Sequence, residues 1–244
     1  MGSELTVARK TITMGLMQKK DQDAVREAFA GLTRPVHLLL FTSAESGEYS
    51  EVARELLAEV AEQNPRITVE SVDLVAGAER ARAFGVDKAP TIVFLSGAER
   101  ADHGVRFAGL PSGYEFASLI EAIRLVGGVS EQELHPATIA FLGALNAPMR
   151  LQVFVTPTCP YCPRAVILAH ALAMASEHVT AAMVEATEFP QLANRYQVYG
   201  VPRTVINDVI HVEGAVPESA LITKLMNVTD AAMMDKLHAE WARN

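Results

Sequence analysis

Residues 154–164 read FVTPTCPYCPR, and Gly200-Val201-Pro202-Arg203 follows about forty residues later. An apolar run ends in a short turn here, and the cysteine-bearing segment CPYC then opens a helical stretch. Unpaired backbone N–H groups and the helix dipole at a helix N-terminus favour a thiolate over a thiol. The sequence therefore predicts an activated thiol at Cys159 and a second thiol, Cys162, one helical turn further on.

These two cysteines are the only ones in the chain, so neither has another disulfide partner. A lone C-x-x-C can be half of a zinc site, but the strand, turn and helix around this one favour redox chemistry. None of the seven histidines stands at a metal-ligand spacing from the pair, which leaves zinc or a cluster shared between two chains as minor alternatives. No Gly-rich phosphate loop is present, so we expect no metal and no cofactor beyond a redox-active Cys159–Cys162 disulfide.

Composition describes a globular chain with ample apolar material for a core. The 244 residues are 50% hydrophobic and 20% charged, without a run of about 18 apolar residues, so we expect no membrane association. The formal net charge of −8 argues against nucleic acid as a partner. The first residues lack an apolar segment before a small-residue cleavage site, so no secretory signal is expected. Two cysteines suit a reducing cytosol, which predicts a cytoplasmic protein.

The second half of the chain repeats the first. An apolar strand at 36–41 is followed by a turn and a helix, as is the strand at 151–154. Aligning the phenylalanine that ends each strand brings these residues into correspondence: Ser46 with Cys159, and Tyr49 with Cys162. The echo continues through a strand at 67–74 that matches 179–185, and through an X-Pro step in each half.

Several features in the same order predict two copies of one βαβ…ββα unit. We expect an α/β fold of two tandem units, each with a central mixed sheet flanked by helices. Unit one is predicted at residues 18–128 and has no C-x-x-C, so it cannot exchange electrons. Unit two is predicted at residues 129–244 and carries the CPYC segment.

A strand, a C-x-x-C at a helix start and an X-Pro about forty residues later is the thioredoxin-fold pattern. Two such units in tandem, with TPTCPYCP and Gly-Val-Pro in the second, resemble the protein disulfide oxidoreductases of thermophilic archaea and bacteria, also described as glutaredoxin-like. The resemblance spans residues 20–227. It implies two thioredoxin-fold units and a thiol–disulfide oxidoreductase that reduces or exchanges disulfides of client proteins.

Two departures from that family bear on function. Its members commonly carry C-x-x-C in both units, whereas unit one has Ser46-Gly47-Glu48-Tyr49. In this respect the chain also resembles the N-terminal tandem domain of the flavoprotein that reduces peroxiredoxin-type hydroperoxide reductases, where only the second unit is active. Thioredoxins place a buried Asp six residues before the first active-site cysteine, and this chain has Val153 there.

The CPYC residues take roles from general thiol chemistry and from this resemblance. Cys159 is predicted to be the nucleophile, because exchange needs an exposed and stabilised thiolate. Cys162 is predicted to resolve the mixed disulfide from inside the protein. Pro160 suits the first helical turn, where its missing N–H is not needed. Tyr161 is either a solvent-facing ring beside the target peptide or packing surface, and the sequence leaves both open.

The Gly-Val-Pro segment is predicted to hold the client. The resemblance implies that Pro202 is cis, and that Pro90 is its structural counterpart in unit one. A cis bond leaves the backbone of Val201 free to pair with an extended client strand beside Cys159. Arg203 is expected either to favour an acidic target or to be a solvated charge at the strand end.

Glu185 is the candidate proton acceptor for Cys162, since Val153 removes the usual carboxylate. Strand alternation puts Glu185 on the same face as Met183, at the end of the strand nearest the active-site helix start. The alternative is a solvated acid at the end of a strand.

Partners remain open at this level. Electrons must come from a thioredoxin-reductase-like flavoprotein or a small thiol, and a peroxiredoxin is one expected recipient besides other disulfide-containing proteins. Glutathione-dependent glutaredoxin activity is an alternative, although the segment after Pro202 lacks the Gly-Gly run that meets glutathione. A non-catalytic binding module is the alternative from another class. The amphipathic stretch 230–241 either caps the core or mediates self-association, so the chain is expected to be a monomer or a weak homodimer.

Overall fold

The computed structural model describes residues 16–129 and 133–229, and their secondary structure alternates between strands and helices. The elements in chain order are α1 (Lys19–Ala28), β1 (Val36–Thr42), α2 (Gly47–Ala61), β2 (Ile67–Asp73), α3 (Ala78–Ala83), β3 (Thr91–Ser96), β4 (Ala101–Ala108), α4 (Glu115–Val126), α5 (Pro136–Gly143), β5 (Met149–Val155), α6 (Cys162–Met174), β6 (Val179–Glu185), α7 (Pro190–Arg195), β7 (Arg203–Ile206), β8 (Ile210–Glu213) and α8 (Glu218–Val228).

Alternating burial explains why the apolar runs form strands. In β1, Leu38 and Leu40 pack into one core, while Leu39 and Phe41 pack into a separate cluster on the opposite face of the sheet. A strand whose successive side chains are buried on both faces reads as a continuous apolar run. The strands that carry the two turns are therefore central strands covered on both sides.

The eight strands form one continuous mixed sheet in the order β2-β1-β3-β4-β6-β5-β7-β8. Each half contributes four strands in the same internal order, which confirms two tandem α/β units. In each half the first two strands are parallel and the third and fourth are antiparallel to their neighbours. The sequence predicted a sheet in each unit; parallel pairing of β4 with β6 joins the two sheets into one.

One large core lies on a single face of this sheet and contains side chains from α2, α4, α6 and α8. The opposite face carries two smaller clusters, one beneath α3 and one beneath α7. Helix α4 of the first half packs directly against α6, the helix that follows the cysteines. The large core is therefore shared by both halves, and it places elements of the first half beside the active-site helix.

Both predicted cis peptide bonds are present, Ala89-Pro90 and Val201-Pro202. They occupy equivalent places, directly before β3 and β7. In each half the proline carbonyl accepts a hydrogen bond from the glycine after the hairpin, with N···O distances of 2.9 Å from Gly109 and 2.8 Å from Gly214. This repeated detail supports the internal repeat at the level of single hydrogen bonds.

The predicted unit boundary at residues 128 and 129 stays a prediction. Helix α4 ends at Val126, and α5 begins at Pro136, with residues 130–132 outside the described part. The amphipathic stretch 230–241 also lies outside the described residues. In the ranges 16–129 and 133–229, no helix is both long and apolar enough to cross a membrane.

Candidate active site

Cys159 and Cys162 form a disulfide, with their Cα atoms 5.5 Å apart. Cys159 lies in the turn after β5, and its backbone N–H donates to the Thr156 carbonyl oxygen at 3.1 Å. Cys162 is the first residue of α6. The segment between strand and helix therefore closes a disulfide ring at the carboxyl end of a central strand.

The two sulfurs differ in access to solvent. Cys159 retains 7% of its surface, whereas Cys162 retains none and lies in the large core. Both cysteines belong to the same core cluster as Val153, whose side chain is 1% exposed. Position 153 is therefore buried beneath the disulfide as the family pattern implies, and its side chain offers no proton acceptor.

The helix begins later than the sequence indicated. Pro160 lies in the turn before α6, not in the first helical turn, and Pro163 takes the early helical position where an N–H is not needed. The cysteine ring itself occupies the turn that leads into the helix, so helical hydrogen bonding starts only at Cys162. Cys159 consequently faces the helix N-terminus from outside the first turn, where the unpaired N–H groups favour its thiolate.

The segment before β7 presents free backbone to the client side. Within the described residues, neither the N–H nor the carbonyl of Val201 has a hydrogen-bond partner. The cis bond to Pro202 and the start of β7 at Arg203 leave this residue just outside the sheet ladder. Such backbone can pair with an extended polypeptide by strand addition.

Two tyrosines project near these elements. Tyr161 is 66% exposed between the cysteines, so it is not packing surface in this chain. Tyr199, two residues before Val201, is 90% exposed. Sequence reasoning did not select Tyr199, although an aromatic residue next to the cis-proline segment was a visible signal. Exposed aromatic rings are common anchors of protein interfaces.

Arg203 is held within the β7–β8 hairpin. Its guanidinium donates to His211 Nδ1 at 2.7 Å and to Glu213 Oε1 at 2.9 Å, and its side chain is 13% exposed. The alternative of a solvated strand-end charge is therefore wrong. A role toward an acidic target stays a prediction, and it competes with these two existing partners.

Glu185 is buried at 2% exposure, so the alternative of a solvated acid is wrong for this residue too. Its Oε2 accepts hydrogen bonds from the Thr187 hydroxyl at 2.7 Å and from the Glu188 backbone N–H at 2.6 Å. Its Oε1 is buried without a partner among the described residues. Proton transfer from Cys162 to Glu185 stays a prediction, since these bonds hold one oxygen in a local turn.

A second buried carboxylate, Glu115, was missed by sequence reasoning. It is 1% exposed as the first residue of α4, and neither of its oxygens has a hydrogen-bond partner in the described structure. Burial raises the pKa of Glu115 to about 7, and the Ser118 hydroxyl offsets this only in part. Glu115 therefore gains and loses a proton near neutral pH.

The start of α4 is fixed against the active-site turn. The backbone N–H of Tyr114 donates to the Pro157 carbonyl oxygen at 2.9 Å. A Cβ on Gly113 would lie 2.2 Å from that same oxygen, so only glycine allows the approach, and its φ of +58° also favours glycine. Glu115 belongs to the first half in sequence, so only tertiary packing brings it beside the turn that carries Cys159.

Glu188 ties the two halves together at the same edge of the sheet. Its Oε1 accepts a hydrogen bond from the Leu110 N–H at 2.7 Å, and a Cβ on Gly109 would touch the side chains of Glu185 and Glu188. Burial, and then the charge of Glu185, raise the pKa of Glu188 to about 7, although the Leu110 N–H opposes the shift.

The first half retains the shape of the site without its thiols. Ser46 stands before α2, and its hydroxyl lies 2.5 Å from that of Ser50. Ser50 is 2% exposed, and Tyr49 is 50% exposed. The structural counterpart of buried Cys162 is therefore Ser50, not Tyr49 as the sequence alignment suggested. One extra residue in the turn of the first half explains the difference, because helix burial periodicity fixes the register.

In the parts of the chain that are described, no group of three or more His, Cys, Asp or Glu side chains could hold a metal ion.

Comparison with known proteins places these features in a family. A thioredoxin domain model matches residues 149–227. A variant of the alkylhydroperoxide reductase AhpF from Enterococcus faecalis is 30% identical, with a TM-score of 0.78 over 85% of this chain and 98% of that one. The chain belongs to the tandem thioredoxin-fold disulfide oxidoreductases. A protein disulfide oxidoreductase from Aeropyrum pernix is 27% identical, with a TM-score of 0.76 over 84% of this chain and 90% of that one.

Curated relatives extend beyond the matched region. An alkyl hydroperoxide reductase of Staphylococcus epidermidis, the homologue of AhpF, is 28% identical over 190 residues, which is 78% of this chain. The chain spans about a third of that relative, 34% of its length. The family assignment and the disulfide together make this chain a thiol–disulfide oxidoreductase.

Proposed function

We propose that this oxidoreductase reduces client disulfides with Cys159 as nucleophile and Cys162 as resolving thiol. The unequal exposure of the two sulfurs carries the proposal, because only Cys159 is open to attack a second protein. The Cys159 thiolate attacks one sulfur of the client disulfide, and the other client sulfur leaves as a thiolate that takes up a proton. Cys162 then attacks Cys159 in the mixed disulfide, which releases the second client thiolate.

Glu115 is the proposed acceptor of the Cys162 proton. A buried thiol cannot lose its proton to water directly, and the buried Val153 supplies no base. A carboxyl with a pKa of about 7 accepts a proton readily at neutral pH and returns it in the reverse reaction. Glu185 is the alternative acceptor, and the two are separable by substitution. Because Glu115 lies in the first half, that half contributes a functional group although it has no thiols.

The client is proposed to lie as an extended strand along Val201, with cis-Pro202 shaping the seat. The free N–H and carbonyl of Val201 supply main-chain hydrogen bonds, and the exposed rings of Tyr161 and Tyr199 supply apolar contact. This arrangement reads backbone and shape more than sequence, so it suits clients that share only an accessible disulfide.

Electron supply is proposed from a thioredoxin-reductase-like flavoprotein or a small thiol. A second candidate function is favoured by the curated relatives, which are named as alkyl hydroperoxide reductases. We propose on that basis that the chain passes electrons to a peroxiredoxin-type protein. Both functions use the same dithiol and differ only in the protein that receives the electrons.

Dithiothreitol-driven insulin reduction tests the redox proposal. We expect activity in the wild type, none in Cys159→Ser, and a mixed disulfide with insulin that accumulates in Cys162→Ser. A Cys159→Ser variant that retains activity would contradict the assignment of the nucleophile. Coupled hydroperoxide reduction with a purified peroxiredoxin and a flavoprotein reductase then tests the second candidate, with the Cys159→Ser variant as its blank.

A further inference from the structure

A groove of about 780 Å³ lies at the thiol-free site of the first half, which the redox chemistry does not use. We call it the unit-one groove and define it by Ser46, Tyr49, Val75, Ala89, Pro90 and Phe189. The first five come from the turns at the ends of β1 and β2 and from the segment before β3. Phe189 comes from the second half, so both halves form the walls.

The groove keeps the backbone seat found at the active site. Ala89 precedes cis-Pro90 as Val201 precedes cis-Pro202. In the described structure, the N–H and carbonyl of Ala89 have no hydrogen-bond partner, which is also the state of Val201. Ala89 borders the groove, so an extended segment lying there can add to this backbone as a strand.

Acidic side chains surround this seat. Four carboxylates and one ammonium line the groove: Glu45, Asp73, Asp87, Glu188 and Lys88. Lys88 pairs with Asp87, which leaves the other acids without a cationic side chain inside the groove. Glu45 is exposed to solvent. The surplus of negative charge selects a ligand with lysine or arginine side chains.

Exposed apolar surface accompanies the charge. Val75 is 80% exposed and Tyr49 is 50% exposed, and both border the groove. In an extended strand, alternate side chains point to opposite sides. A segment that alternates basic and apolar residues therefore matches the acids and the apolar wall together.

The groove and the disulfide open at the same edge of the sheet. Strands β1 and β5 run in the same direction, because β1 and β4 are each antiparallel to β3, and because β4, β6 and β5 are mutually parallel. Four strand-to-strand steps separate β1 from β5. At about 4.8 Å a step, the two sites are about 19 Å apart. An extended chain of about six residues spans that distance.

We propose that the unit-one groove binds an extended, basic segment of the disulfide client by strand addition at Ala89, while the client disulfide reacts at Cys159. The proposal rests on the redox function above and extends it. A second attachment point raises the effective concentration of the client disulfide at the thiols without any change in their chemistry.

Fluorescence anisotropy with a cysteine-free probe separates docking from redox chemistry. The probe is a short labelled peptide that alternates lysine with valine, titrated with the full oxidised chain. We expect saturable binding at sub-millimolar concentration. The same peptide N-methylated on alternate residues is expected to bind about tenfold more weakly, because it loses the main-chain hydrogen bonds.

Matched charge reversals locate the site. Glu45→Lys is expected to weaken binding about threefold or more, since it removes an attraction and adds a repulsion. Glu55→Lys makes the same change on the exposed face of α2, away from the groove, and is expected to bind like the wild type. Neither residue belongs to the redox machinery, so insulin reduction measures that the chain remains active.

The two proposals fail in different ways. Equal affinity of the Glu45→Lys and Glu55→Lys variants overturns docking in the groove, as does full binding of the N-methylated peptide. Absence of peptide binding in a chain that reduces insulin also overturns docking and leaves the redox function standing. Peptide binding in a chain without dithiol activity would instead refute the redox function, and with it the role of the groove in docking a disulfide client.

Discussion

Replacing Glu115 by Gln should change how the stability of the protein depends on pH. Burial raises the pKa of Glu115 in the folded protein to about 7, against an ordinary value of 4.5. Between these values the folded state holds a proton that the unfolded state has released. The free energy of unfolding contributed by this group is therefore highest below about pH 4.5 and falls as the pH rises toward 7.

The size of this contribution follows from the two pKa values. Their difference corresponds to roughly 3 kcal/mol of unfolding free energy, present in acid and lost by about pH 8. Glutamine does not titrate, so the Glu115→Gln variant lacks this decline. Any effect of the buried amide on packing shifts its whole stability curve without changing the slope.

Urea unfolding of the oxidised protein across this pH range provides the measurement. The stability of Glu115→Gln minus that of the wild type should increase by roughly 3 kcal/mol between pH 4.5 and pH 8. Glu188 and the histidines titrate in both proteins, so the difference isolates Glu115. Glu121→Gln on the same helix, where the side chain is 37% exposed, is the control and should leave the slope unchanged.

Parallel curves for the wild type and Glu115→Gln would refute the reasoning, because they would show that Glu115 ionises alike in the folded and unfolded states. If the slopes differ as expected, the same variant should also slow resolution of the mixed disulfide at pH 7. Its rate should then rise with pH as the Cys162 thiol ionises without a base. A rate profile identical to that of the wild type would return Glu185 to first place as acceptor.

Three further outcomes are expected. Gly113→Ala should destabilise the chain by more than about 2 kcal/mol and lower insulin reduction, since its Cβ meets the Pro157 carbonyl oxygen at 2.2 Å; Gly104→Ala, which clashes with backbone at the β4–β6 junction, should lower stability without the specific loss of activity. Burial lowers the pKa of His170 to about 4, so its contribution to stability is lost as the pH falls from 6.5 toward 4, and His170→Gln should flatten acid unfolding there. Tyr199→Ser should raise the KM for insulin with little effect on unfolding, and an unchanged KM would exclude the ring from the client seat.

The sequence by itself determined the repeated unit, the redox pair and the two cis-prolines. Each is written in local order, as an apolar strand, a turn and a helix with cysteines or proline at fixed places. Local patterns of this kind survive in a single chain because neighbouring residues fix them. Cys159, Cys162 and Pro202 were therefore assigned before any tertiary contact was known.

Register and pairing lay beyond local pattern. One extra residue in the turn moved the counterpart of Cys162 from Tyr49 to Ser50, which burial along α2 decides. The hydrogen bonds of Arg203 to β8 and the burial of Glu185 depend on how strands pair and what covers them. A strand-end charge looks the same in sequence whether it is solvated or enclosed.

Glu115 and the unit-one groove came from tertiary structure alone. Glu115 lies 44 positions before Cys159 in a helix of the other half, and no spacing rule links the two. Parallel pairing of β4 with β6 joins the sheets, and packing of α4 on α6 then buries the carboxylate beside the active-site turn. The sequence determined which chemistry the chain performs, because thiols and turns are local. Only the packing of one half on the other decided which groups surround that chemistry, because burial and proximity belong to the folded whole.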